Sequence, residues 1–408
     1  MVCLLSTVIF VFFIDVLQQE AAANCGMRRI VMEMTFRERY LETLLFGRPD
    51  RIPLSPGGGR ESTRKRWYSE GLPRDVENIP EYAYRKAGGT LPWPRYGRGF
   101  PVDFRMMPRF EEKVIEKKEH SQIVQDWKGN ICEISNDFSV EYLRNAIDFC
   151  TRRWIRCPVE NRDDWENMKE RYDPDEPSRF PSDAEQRGRE LQNRTWPVTV
   201  SFPGPFWQVR EWTGFERLCM LFYDDPELLK DMIMFWERFA SKILRRLFSY
   251  VVPDEIHLSE DMAYKGFSMI SPDMTREFLL PVYRHWGSMI REAGVPVYAM
   301  DSDGYIGELI PIWIEAGINA CDPIEVAAGN DINEFRKTYG NKMAFRGSVD
   351  KRCIAKGGDT IRREIDRISP VISDGGFIPS CDHGIPSDIS WDNYVQYTGL
   401  LAEKTGWI

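Results

Sequence analysis

Two short clusters carry the residue types for chemistry: Asp301-Ser302-Asp303-Gly304 and, some eighty residues on, Cys381-Asp382-His383-Gly384-Ile385-Pro386. Each follows a short apolar run, 296–300 and 375–379, that reads as a β-strand, so both are expected at strand C-terminal ends, where barrel enzymes hold their reactive groups. Side chains alternate along an extended chain, so Asp301 and Asp303 point to one side. Two carboxylates and one imidazole can converge on a metal ion or a substrate, and the expected metal ligands are Asp301, Asp303 and His383. The expected catalytic residues are Glu260, Asp261, Asp301 and His383.

The other expected strand ends are also acidic: Glu260-Asp261-Met262, Asp322-Pro323-Ile324-Glu325 and Arg346-Gly347-Ser348-Val349-Asp350. Asp322 and Asp350 are expected to cap the following helices. Glu260 and Asp261 read equally as catalytic carboxylates or structural acceptors. His120, His257 and His285 are expected to be packing or surface residues. Ser55-Pro56-Gly57-Gly58-Gly59 forms a tight loop that lets backbone approach a ligand, with no Lys-Ser/Thr after it to make a phosphate-binding P-loop. Arg60 and Arg64, one helical turn apart, either meet an anionic substrate or line a solvated helix face. Phe206 and Tyr264 are further substrate-binding candidates; Trp207, Trp212 and Tyr264 wall a pocket or fill the core.

The elements that must position these groups follow from periodicity. Thr35-x-x-Glu38 is a capping box opening a helix to about residue 45, which Gly47 and Pro49 stop. A strand is expected at 51–54, and a β-hairpin across 110–134 around Lys128-Gly129-Asn130. The segment 160–194 is polar and charge-dense, a surface helix and linker. From 198 onward strands at 198–201, 255–259, 296–300, 318–321, 342–345 and 377–379 alternate with helices at 225–250, 272–293, 306–316, 332–339 and 360–368. That order means parallel βαβ units. A single (β/α)8 barrel with a hairpin insertion is the expected fold, with a doubly wound sheet as the alternative.

The chain has 408 residues, 42% hydrophobic and 29% charged, with formal net charge -9. The length suits one barrel-sized domain, and the acidic balance excludes a nucleic-acid footprint. Nine scattered cysteines without a C-x-x-C pair suit reduced thiols and a cytoplasmic setting. Residues 1–33 are expected to be a leader before a domain at 34–408. Its apolar stretch holds Asp15, lacks a basic n-region and is too short for a clean span, so no stable membrane span is expected. Two readings stay open: extra sequence upstream of a start at Met27, Met32 or Met34, or a weak signal or anchor.

At these residues the chain resembles the uroporphyrinogen decarboxylase superfamily, which includes the decarboxylases of haem synthesis and zinc-dependent corrinoid:thiol methyltransferases. Arg48-Pro49-Asp50-Arg51-Ile52-Pro53 is similar to the family's first strand, and Phe202-Pro203-Gly204-Pro205-Phe206 to its G-x-P-F/W turn. Asp261, Ser271-Pro272 and Pro281-Val282-Tyr283 resemble its central signature; Gly347-Ser348-Val349-Asp350 resembles G-N-x-D, and His383-Gly384-Ile385 resembles H-G-I. The resemblance implies a TIM-type barrel.

Both branches' diagnostic residues differ here. Where the decarboxylases have R-Q-A-G-R, this chain has Gly57-Gly58-Gly59-Arg60, which argues against an eight-carboxylate tetrapyrrole. Where the methyltransferases bind zinc through H-x-C and a later Cys, this chain has Asp301, Asp303 and His383, a harder donor set. The resemblance therefore implies, first, metal-dependent methyl transfer to a thiol-type acceptor, with a divalent metal such as zinc and a corrinoid carried by a partner protein. The second implication is a cofactor-free decarboxylase in which Asp261 or Asp301 stabilises a cation and passes a proton while Arg60, Arg64 and His383 bind a carboxylate. The third is a non-catalytic scaffold. A small-molecule substrate and a homodimer complete the expectation.

Overall fold

The computed structural model describes residues 33–94, 97, 99–144 and 150–408. The chain divides into two compact units, Met1–Met34 and Thr35–Ile408; the expected leader at 1–33 lies almost wholly outside the described residues.

The capping box forms as read. Thr35 accepts from Glu38 N–H at 3.2 Å and Glu38 accepts from Thr35 N–H at 2.7 Å, opening helix Phe36–Leu44. The insertion is larger than a hairpin. Strands β1 (Lys113–Lys117), β2 (Ser121–Gln125), β3 (Ile131–Ser135) and β4 (Arg153–Arg156) form an antiparallel sheet in that order, with Lys128-Gly129-Asn130 between β2 and β3.

Six parallel strands follow: β5 (Thr199–Pro203), β6 (Glu255–Ser259), β7 (Val297–Asp301), β8 (Ala320–Asp322), β9 (Ala344–Val349) and β10 (Phe377–Cys381), hydrogen-bonded in sequence order. Helices between them, such as Pro226–Tyr250, Leu280–Glu292 and Asp359–Asp374, make the connections βαβ crossovers and share the main core with the strands. Asp225 caps the first of these through Leu228 N–H at 3.1 Å. The helix expected over 272–293 contains a π-type turn at Thr275–Leu279, just before Pro281, whose missing N–H cannot continue the regular ladder.

The expected strand at 51–54 is not one. Pro53 and Pro56 remove the donors a ladder needs, and the only pairing nearby is the parallel bridge Gly59 to Ile385. Hydrogen bonds among the described residues thus draw a six-stranded parallel sheet of an α/β fold rather than a closed eight-stranded ring. Its inner face is unusually polar: Thr199, Ser201, Glu255, His257, Ser259, Asp301, Asp322, Arg346 and Ser380 all line interior cavities. A small apolar cluster of Tyr40, Leu44, Val297, Ala299, Ala320, Ala344 and Ile378 underlies them, supplied partly by helix Phe36–Leu44.

Candidate active site

Strand register brings the acids together. Ser259 pairs with Asp301 and Asp301 with Asp322 across three neighbouring strands, so the same rim carries Asp261, Asp301 and Asp303. The turn after β7 holds Asp303 in place: Gly304 sits at φ +85°, and a Cβ there would lie 2.4 Å from Ala263 O, so the two loops touch backbone to backbone. Asp303 N–H donates to Asp261 Oδ1 at 3.1 Å, and Asp261 itself has φ +43°. The polypeptide therefore fixes the Asp261 carboxylate against the Asp303 amide.

These groups line a cavity of about 660 Å³ with Ser201, Ser259, Trp207, Gly57, Gly58, Cys381 and His383. His383 Nε2 lies 3.0 Å from Asp303 Oδ2, while its Nδ1 accepts from Arg60 Nη2 at 2.9 Å and from Gly384 N–H at 2.6 Å. Two donors on Nδ1 leave the ring proton on Nε2, facing the carboxylate. The Asp303 hydrogen bond raises the His383 pKa; Arg60 opposes it. Burial and the Asp322 charge lift Asp301 to about 7, and burial followed by the Asp303 charge raises Asp261. Arg210 counters this negative potential: its Nη1 donates to Asp261 O at 2.8 Å and its guanidinium lies 4.4 Å from the Trp207 ring centroid.

The expected residues do not all meet. Glu260 is fully buried and absent from the cavity wall: it accepts from Trp207 N–H at 2.7 Å, from Phe206 N–H at 3.4 Å and from the Tyr283 hydroxyl, and so caps helix Pro205–Thr213 from outside. Burial drives its pKa to about 7. Phe206 is a core residue, and its neighbour Trp207 faces the cavity instead. Arg64 lies on helix Glu61–Ser69 away from the lining, and Arg60 reaches the site through His383. Tyr264 is 47% exposed and packs on Phe215.

As arranged, Asp301, Asp303 and His383 do not suit a metal ion. A metal on Nε2 requires the ring proton to move to Nδ1, which faces two donors, whereas ligating histidines normally donate from their second nitrogen. Among the described residues no group of three or more His, Cys, Asp or Glu side chains is set to hold a metal. Cys381 is buried and its thiol pKa is pushed far up by burial, opposite to what a thiolate ligand needs.

Sequence reasoning missed a second polar set beneath the rim. His257 Nε2 lies 3.0 Å from Asp322 Oδ1, Arg346 Nε donates to Asp322 Oδ2 at 2.5 Å, and Arg346 Nη1 reaches Glu255 at 2.8 Å and the Tyr40 hydroxyl at 2.5 Å. Asp322 is thus an ion-pair centre rather than a helix cap, held at about 2 by Arg346 and then His257 against the cost of burial. Asp350 does cap its helix, accepting from Arg352 N–H at 2.9 Å. Alternation along β6 was the available signal, since it puts Glu255, His257 and Ser259 on one face.

A parallel α/β sheet with carboxylates and a histidine gathered at its C-terminal rim defines the class. The uroporphyrinogen decarboxylase (URO-D) family model matches residues 154–400, more than half of the chain, and the chain belongs to that family. A uroporphyrinogen decarboxylase of Shewanella piezotolerans is 23% identical over 198 residues, covering 47% of this chain and 53% of that protein, so the chain spans about half the length of this curated relative. A solved methyltransferase from Methanosarcina mazei, 14% identical, superposes with a TM-score of 0.55 over 91% of this chain and 99% of that one, a likeness of fold.

Proposed function

We propose that the rim cavity carries out acid–base lyase chemistry of the decarboxylase type on a small electron-rich carboxylate such as a pyrrole-acetate. The observation that carries this reading is the convergence of Asp261, Asp301, Asp303 and the Arg60-bound His383 on one cavity. Asp301, protonated up to about pH 7, delivers a proton to an electron-rich carbon. The Asp261 and Asp303 carboxylates stabilise the cation that results. Heterolysis of the bond to the carboxylate then releases carbon dioxide and leaves its electron pair as an exocyclic double bond to the cationic ring; protonation of that methylene carbon and loss of the added ring proton restore the aromatic ring, so that in sum one proton replaces carbon dioxide. His383, with Arg60 behind it, holds the Asp303 carboxylate in place through its Nε2–H. The same reading takes the six strands as most of a barrel whose seam, between β10 and β5, is occupied by the segment 51–59, since Gly57 and Gly58 share the cavity with Ser201 and Cys381.

The test is carbon dioxide release from a panel of pyrrole- and aryl-acetates in D2O. Wild type should release it with deuterium left on carbon, Asp301→Asn should lose about 100-fold or more in rate, and the rate should fall as pH rises past about 7, where Asp301 gives up its proton. No release from any member of the panel would sink the proposal.

Metal-assisted methyl transfer from a corrinoid on a partner protein is the second reading, favoured by Asp301, Asp303 and His383 facing one cavity. It requires the His383 ring to turn its lone pair outward. Zinc-dependent binding of a methyl-corrinoid protein would support it over the lyase. The homodimer and the cytoplasmic setting are proposals on either reading; among the described residues no helix is long and apolar enough to cross a membrane.

A further inference from the structure

A side pocket of about 220 Å³ opens between the antiparallel insertion and helix Pro205–Thr213, and it shares Pro203 and Trp207 with the rim cavity. Whole small-molecule sites run from about 300 Å³ upward, so a hollow of this size takes one ring of a larger ligand. The turn between β2 and β3 builds its outer wall. Asp126, itself buried, accepts from Lys128 N–H and from Asn130 N–H, each at 2.9 Å, and Trp127 O accepts from Phe110 N–H at 3.0 Å. Lys128 then pairs with Glu211 and ties the turn to the helix.

The lining selects the ring. Its cations are spent on neighbouring carboxylates, Lys128 on Glu211 and Arg105 on Asp103, where Arg105 Nε donates to Oδ1 at 2.9 Å, so the pocket favours a neutral group. Much of the remaining surface is aromatic or soft, from Phe104, Met106, Trp127 and Trp207. Gln208 has an end to spare: its Nε2 donates to the Tyr172 hydroxyl at 3.3 Å, while its Oε1, which no described residue engages, stays open to the pocket. A hydroxyl both donates and accepts, so a phenolic O–H suits this amide whichever way it is turned. We propose that this side pocket binds a neutral phenol-type ring, held against Trp127 and Trp207 with its hydroxyl on the Gln208 amide. Resting on the lyase reading, the substrate then spans both hollows, with its reacting acetate at the rim acids and its hydroxyaryl end under the Trp127 turn.

The fluorine resonance of 4-fluorophenol reads the pocket without any turnover. Titration with the full chain should shift it saturably, and 4-fluorobenzoate should bind about tenfold or more weakly, since its charge finds no partner. Trp127→Ala and Gln208→Leu should each weaken binding about tenfold, the first through a lost ring contact and the second through a lost hydrogen bond. Among acetates that release carbon dioxide, one bearing a distal 4-hydroxyphenyl group should have a KM about tenfold lower at unchanged kcat, and Trp127→Ala should erase the difference. No saturable shift with 4-fluorophenol, equal affinity for 4-fluorobenzoate, or undiminished binding in either folded variant would overturn the pocket, and an equal KM would overturn the spanning substrate. Probe binding without carbon dioxide release from any acetate defeats the lyase reading and leaves the pocket standing; release without probe binding defeats the pocket alone. If Gln208→Leu does not fold, Trp127→Ala in the turn decides.

Discussion

Three acids of nearly identical chemistry are set to different tasks by their surroundings. Glu260 and Asp301 are lifted to about 7, while Asp322 is held at about 2. Glu260 has a consequence for stability: its folded pKa lies above its unfolded value, so the folded state holds the proton more tightly and stability declines as pH rises from about 4.5 to 7. Glu260→Gln should remove that slope, a difference on the order of 2–3 kcal/mol between pH 4 and 8 by urea denaturation. At His383 the sign is opposite in origin. Replacing Arg60 by Met removes a cation that holds the imidazole down, so the His383 pKa should rise further, read directly from its ring resonances. Asp301, Asp303 and His383 were legible in sequence because i, i+2 spacing at a strand end fixes a shared direction. Glu260 read equally as a catalytic carboxylate or a structural acceptor, and its direction decides its place. It alternates with Ser259, whose register with Asp301 sends it inward and Glu260 outward.

At the scale of elements, β8 and β9 are locked by one close approach. Gly347 has φ +101°, and a Cβ there would lie 1.7 Å from Pro323 O. Gly347→Ala should cost about 2–4 kcal/mol, as backbone strain and steric overlap add, and should lower Tm. Beside it, Arg346→Met strands Asp322 and Glu255 without their cation and should cost about 3–5 kcal/mol. The part of Asp322's contribution that survives in wild type is present above its unfolded pKa and is lost as pH falls toward 2, so acid titration of the wild type and of this variant should converge at low pH. Most parallel strands and helices were legible because apolar runs of four to six residues alternate with helical periods. The segment 51–54 was misread because Pro53 within it and Pro56 after it weigh more than its apolar content. The Asp322, His257 and Arg346 set was hidden because its members come from three strands, and no local pattern links them.

On the whole molecule, the antiparallel sheet ends in strands that face solvent on both sides. Val114, Ile115, Trp154 and Ile155 are between 41% and 50% exposed on the edge strands β1 and β4. Exposed edges of this kind invite pairing with other chains. A double variant, Ile115→Lys with Trp154→Lys, should reduce heat-induced light scattering while leaving Tm within about 1 °C, because surface changes away from packed features are near neutral.

Helix Trp391–Thr405 and the residues just after it grip the segment 52–57. Tyr394 donates to Gly57 O at 2.6 Å, Ile52 N–H to Thr405 O at 3.1 Å, and Trp407 Nε1 to Ile52 O at 2.7 Å, contacts spanning more than three hundred residues. Such long loops close late, since their entropy must be overcome before any contact rewards it. During synthesis on the ribosome, the glycine loop that walls the rim cavity therefore waits for its partners at Ile385 and then in residues 391–407 to emerge. A nascent chain stalled before that point would carry every acid of the rim and still lack a finished active site.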